Sequence, residues 1–162
     1  MNKIGHHVTS TLVVGALNAL LLTPLSGGAK DLLWLVGSAL AYKSSDLPDV
    51  IETNFWRKPR FRRRLIAHRT ITHSGLLSLI SGAASLVWFS ASPGILSFLI
   101  NSLIWSYVTH VLVDAGSPMG IPWGIDFHNR RSLNLYQNNK ITKSFYITIM
   151  ALILIPFIVL TI

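Results

Sequence analysis

Five of the six histidines in this 162-residue chain, and three of its six acidic residues, fall where an apolar run gives way to a polar connector. They occur in GHH (His6, His7), SDLPD (Asp46, Asp49), HRTITHS (His68, His73) and HVLVD (His110, Asp114). Imidazole and carboxylate together are the donor set of a transition-metal site, of zinc, manganese or iron before calcium. There are no cysteines, so thiolate ligation and disulfides are both excluded.

The motifs differ in strength. His110 and Asp114 are four apart, so on a helix both project from one face, able to bind one ion or to pair with each other. His68 and His73 are five apart, wrong for one helical face, which puts His68 in a loop while Thr72, His73 and Ser74 open a helix. Thr72 or Ser74 there is also an ordinary N-cap. Asp46 and Asp49 flank Pro48, which favours an extended or turning backbone that turns both carboxylates inward; two solvated loop acids are the plainer reading. An ionisable residue near the end of a span also snorkels to the interface without any ligand. Four connectors carrying the same donor types are nevertheless unlike interfacial decoration, which favours Lys, Arg, Trp and Tyr.

The elements that position these residues follow from composition. Half the residues are hydrophobic, 12% are charged and the mean hydropathy is +0.50, the signature of an integral membrane protein. Residues 1–162 read as a single membrane-embedded domain, with no linker, repeat or low-complexity tract. Five apolar segments are drawn at Val8 to Leu25, Asp31 to Ser44, Ser74 to Ser92, Gly94 to Ala115 and Ser144 to Ile162. A span needs about 20 residues, so the second is short and is expected to end inside the membrane, beside a cavity. With the N-terminus cytoplasmic, 13 of the 14 lysines and arginines are inside and only Lys30 is outside. The expectation is an all-α bundle of about five transmembrane helices with every donor cluster at its cytoplasmic face. A secretory signal peptide is the competing reading of Lys3 and the first apolar stretch, but no small-x-small cleavage site follows it.

The chain resembles the bacterial inner-membrane metal-dependent hydrolase family typified by YdjM. The resemblance rests on Gly5-His6, Leu47-Pro48-Asp49, His68-Arg69-Thr70-Ile71-Thr72-His73-Ser74, and His110 through Asp114 to Ser117-Pro118-Met119-Gly120, in order from Gly5 to Pro122. It implies a multi-pass protein of the bacterial inner membrane with His6, Asp49, His68, His73, His110 and Asp114 as metal ligands. Ile51 stands where the family pattern has a second Asp, Thr70 where it has Gly, and Ser117 where it has Thr. The first departure leaves either one ion or two, zinc favoured over manganese or iron.

A divalent ion there would lower the pKa of bound water towards ~7 and so supply hydroxide at neutral pH. Asp46 is the expected proton acceptor, and Arg69 the expected bidentate clamp on a phosphate, unless it is only positive-inside anchoring. Ser74, Arg130 and Arg131 are the remaining expected substrate contacts; His7 and His128 have no assigned role. The stretch RKPRFRRR admits anionic lipid headgroups first, topology alone second and nucleic acid last. A hydrolase cleaving a phosphoester of a phospholipid or lipid-linked phosphate heads the functional readings. A divalent-metal or proton-coupled transporter is a second, although its site belongs near the midplane. A non-catalytic anchor with a closed structural metal is a third. Cysteines introduced at Lys30 and near Ser92 should label from outside the cell, while those at Lys58 and Gln137 stay protected; external labelling around Arg62 would disperse the donors.

Overall fold

The computed structural model describes residues 3–22, 28–51, 69, 71–124 and 126–135, and these are predominantly helical. Helix α1 is Lys3–Leu21, α2 is Gly28–Ser44, α3 is the single turn Leu47–Val50, α4 is Gly75–Ala91 and α5 is Ile95–Ala115. A 3-10 turn, Ile71–His73, precedes α4. Strands β1 (Ile121–Pro122) and β2 (Arg130–Arg131) pair antiparallel, Ile121 opposite Arg131. This small hairpin was not expected within an all-α chain.

Several boundaries differ from those expected. Helix α1 begins at Lys3, so His6 and His7 ride on its first turns instead of preceding it. Helix α2 has 17 residues, and the chain beyond it is a turn followed by α3, in which Pro48 lies in the first turn, where its missing N–H costs nothing. His73 ends the 3-10 turn, and Ser74 caps α4 by accepting from the Leu77 amide at 3.3 Å. Among the described residues only α5, 21 residues and about 32 Å long by helical rise, is long and apolar enough to cross a bilayer by itself; α4 is apolar but shorter. The fifth apolar segment, Ser144 to Ile162, lies outside the described residues, as does the stretch RKPRFRRR.

Helix α5 is the axis of the bundle, packing against α1, α2 and α4. Its inward residues include Ser97, Asn101, Ser102, Ser106, Thr109 and His110. Large apolar residues such as Leu32, Leu35, Ile80, Val87, Ile95 and Leu96 face outward. That arrangement inverts a water-soluble core and suits a lipid surround, where apolar side chains gain nothing by turning inward. Interhelical hydrogen bonds join the polar interior: Ser102 to Asn18 Oδ1 (3.2 Å), Ser85 to Asn101 Oδ1 (2.9 Å), and Ser106 to the Ala41 carbonyl (2.9 Å). Each such bond contributes only about 0.6 kcal/mol on average, so close backbone approach at small residues must carry the rest.

Helix α1 runs antiparallel to α2, with His7 beside Tyr42 and Gly15 beside Trp34, and to α5, with Ser10 beside Ser106 and Asn18 beside Ser102. Helix α4 runs antiparallel to α5, with Gly82 beside Val108 and Ser85 beside Asn101, and α2 and α5 are parallel. The start of α1, the end of α2, the start of α4 and the end of α5 therefore share one end of the bundle. At the crossing of α1, α2 and α5, a Cβ on Gly37 would strike the Asn18 amide and the Phe98 ring. Gly37→Val should cost about 1–3 kcal/mol by overpacking, whereas Gly28→Ala, with nothing nearby, should not. Unfolding of detergent-purified variants measures this, and equal stabilities would deny the close crossing.

Candidate metal centre

The shared end of the bundle gathers His6 from α1, Asp49 from α3, His73 from the 3-10 turn, and His110 and Asp114 from α5. Two groups of donor atoms form there, His6 with His110 and Asp114, and Asp49 with His73 and His110. Within each, every donor lies within 4.8 Å of the others. The Nε2 atoms of His73 and His110 are 3.2 Å apart. Asp114 Oδ2 lies 3.6 Å from His73 Nε2 and 3.7 Å from His110 Nε2. Asp49 Oδ1 is 3.5 Å from His73 Nε2, and Asp49 Oδ2 is 3.9 Å from His110 Nε2.

These separations fit an ion. Two donors each 2.0–2.1 Å from a tetrahedral zinc are roughly 3.3 Å apart, close to the spacings found. Lone pairs converging in a buried pocket repel one another unless protons or a cation lie between them, and burial without either is costly. His73, His110 and Asp114 are almost wholly buried, while the Asp49 side chain is 40% exposed and so marks the open side. Thr72 Oγ1 lies 3.0 Å from His73 Nδ1, a contact that fixes the ring tautomer and turns Nε2 towards the other donors.

Arg69 is buried against the same carboxylate. Its Nη2 donates to Asp114 Oδ1 at 2.8 Å and its Nη1 to Ser117 Oγ at 2.7 Å. Ser117 Oγ in turn donates to the Asp114 carbonyl at 2.7 Å. Arg69 has φ +59°, a left-handed conformation uncommon for a non-glycine residue and one that collects at functional sites. The guanidinium thus faces Asp114 and Ser117, not an open surface where it was expected to clamp phosphate.

The β hairpin closes this end. Leu133 and Leu135 amides donate to the Ala115 and Gly116 carbonyls, each at 2.9 Å, and Ser132 Oγ donates to the Ser117 carbonyl at 2.5 Å. Gly120, with φ +61°, makes the tight turn, and any Cβ there would collide with the Arg131 carbonyl. Ile121 completes a small core with Val111 and Ala115.

Asp46 belongs to a neighbouring cluster. Its Oδ1 accepts from Ser45 Oγ at 3.1 Å and lies 3.2 Å from His7 Nε2. His7 stacks on Tyr42, and its Nδ1 is 2.6 Å from the Tyr42 carbonyl, so it also closes the C-terminal end of α2. Ser74 is occupied as the cap of α4, and Arg130 and Arg131 lie on β2 at the same end of the bundle. His128 is on the surface beside Asp126. His68 lies outside the described residues. Sequence reasoning missed the roles of Thr72, Ser117 and Ser45; of these, only Ser117 had a usable signal, being three residues beyond Asp114 at a helix end.

His110 belongs to both donor groups, so His110→Ala should reduce bound zinc to background, whereas His128→Ala should leave it unchanged. Thr72→Val should weaken zinc binding about 10–100-fold through the freed His73 ring. Metal content and zinc titration of the purified variants measure both; undiminished zinc in His110→Ala would remove the centre.

No curated protein and no solved structure matches the chain. The profile of the YdjM inner membrane protein family matches residues 1–161. A helical bundle with an apolar exterior, carrying His and Asp donors at one end, is consistent with that match, and the chain belongs to the YdjM inner membrane protein family.

Proposed function

We propose that the protein is a multi-pass, metal-dependent hydrolase that cleaves a phosphoester of a phospholipid or lipid-linked phosphate at the cytoplasmic interface. In this reading about five helices cross the membrane, and the lysine and arginine bias sets the donor-bearing end inside. The observation that carries the proposal is the convergence of Asp49, His73, His110 and Asp114 from three separate elements on one cluster, in which His73, His110 and Asp114 are buried and Asp49 is partly exposed. A divalent ion, zinc by preference, would supply hydroxide at neutral pH and polarise a phosphoryl oxygen.

The chain's own residues supply the rest. His73 is oriented through Thr72, and Asp114 through Arg69 and Ser117. Asp46, held by Ser45 and adjoining His7, is the proton acceptor beside the centre. Arg130 and Arg131 on the hairpin offer positive charge to a phosphate, since the terminal nitrogens of Arg69 have partners within the protein. Exposed Leu47 and Val50 flank Asp49, and exposed Ile71 lies on the turn packed against α3. An apolar rim beside the open carboxylate favours an amphiphile, whose chain stays in lipid while its phosphate reaches the donors.

The test is release of water-soluble phosphate or phospho-headgroup from defined liposomes containing phospholipids and polyprenyl phosphates. Zinc-loaded protein should show it, Asp114→Ala should abolish it, and Asp46→Asn should retain the ion with a displaced pH optimum. Loaded protein that hydrolyses none of these lipids yet moves divalent ions across proteoliposomes is a transporter instead.

A further inference from the structure

We infer that the centre takes one divalent ion, not two, and that Arg69 stands where a second cation would be. The inference rests on the metal reading above and concerns which of the two donor groups sharing His110 is filled.

Asp114 decides it. A carboxylate bridging two ions turns one oxygen to each. Here Oδ2 faces the His73 and His110 Nε2 atoms, at 3.6 and 3.7 Å. Oδ1 is already engaged, by Arg69 Nη2 at 2.8 Å and by His6 Nε2 at 3.3 Å. The Arg69 distance is that of a charge-assisted hydrogen bond, and arginine keeps its proton in any protein setting. A second ion on Oδ1 would therefore lie against a permanent positive charge within a pocket from which water is largely excluded.

Charge leads the same way. Among the described side chains of the centre, Asp49 and Asp114 bring two negative charges and Arg69 one positive, with the imidazoles neutral as ligands. One divalent ion overcompensates that excess slightly, and a second would leave a large uncompensated positive charge in a buried site.

The rings differ correspondingly. His73 has Thr72 on its Nδ1, the outer contact that metal-bound histidines almost always keep. His6 and His110 each leave Nδ1 buried with no hydrogen-bond partner among the described residues, so that atom does not separate them. Position does, because His6 Nε2 meets Oδ1, the oxygen Arg69 already holds, while His110 Nε2 meets Oδ2. His6 is then a positioning residue, stacked on His110 with ring centroids 4.0 Å apart, and with Arg69 it presents Oδ2 to the ion. Asp49, His73, His110 and Asp114 hold the metal.

The test is zinc stoichiometry of the full-length, detergent-purified protein, with the cobalt(II) form examined by electron paramagnetic resonance. One zinc per chain and the signal of an isolated cobalt ion are expected. Monodisperse His6→Gln should keep one zinc with affinity reduced about 10–100-fold, the usual cost of an outer-shell change, whereas His73→Gln should keep none. Two ions per chain or an exchange-coupled cobalt pair would overturn the single-ion assignment, and complete loss of zinc from His6→Gln would overturn the positioning role of His6, each while leaving the metal reading intact. A wild-type protein that takes up no zinc or cobalt defeats the metal reading and this inference with it.

Discussion

The carboxylate of Asp114, the one acidic group of α5, is buried at the end of that helix, and the surroundings answer to its need for partners. An unpaired charge at such a site is prohibitive, and removing one partner from a buried pair typically costs about 3–5 kcal/mol. Arg69, His6, His73 and His110 all approach it, from three other stretches of chain and from its own helix one turn back. Satisfying that one group requires the start of α1, the end of α5, the 3-10 turn and Arg69 to meet. The backbone just beyond it is tied down through Ser117, Ser132, Leu133 and Leu135. The hairpin is thus an extension of the centre, fixing the last turn of α5 from outside.

The rest of the bundle exists to bring those ends together in a solvent that gives little help. Lipid offers no hydrophobic drive for one helix to associate with another, so cohesion comes from close approach and from polar contacts. Gly37 lets α2 settle onto Asn18 and Phe98, and the serine and asparagine contacts along α5 keep its inward face in register. Antiparallel packing of successive helices then delivers His6, His73 and Asp114 to one end.

Two polar clusters emerge at that end, with different uses. In the candidate metal centre, donors face one another across distances that suit a cation. In the His7, Ser45 and Asp46 cluster, each group already has a hydrogen-bonding partner, and His7 joins α1 to the terminus of α2. Adjacent histidines in GHH therefore point to separate tasks, since neighbours on a helix diverge by about 100°.

The sequence by itself determined the class of the protein and most of the donor set. Apolar runs of helical length state that helices will form, because a backbone in lipid must satisfy its own hydrogen bonds. Donors at the ends of those runs state where a site can be, because charge at the middle of a span is costly. Helices α4 and α5 lie within a residue of their expected limits, and His110 and Asp114 share a face as their spacing requires. Tertiary structure alone decided which donors meet and which oxygen of Asp114 each partner faces. Nothing in the spacing of Arg69 and Asp114, 45 residues apart, says that one neutralises an oxygen of the other. Nor does spacing separate His6 from His7, or reveal the hairpin, whose two-residue strands are too short to carry a periodic signal. Local pattern reports what each segment must do with its own backbone; pairing across the bundle depends on how the segments pack, which no single segment encodes.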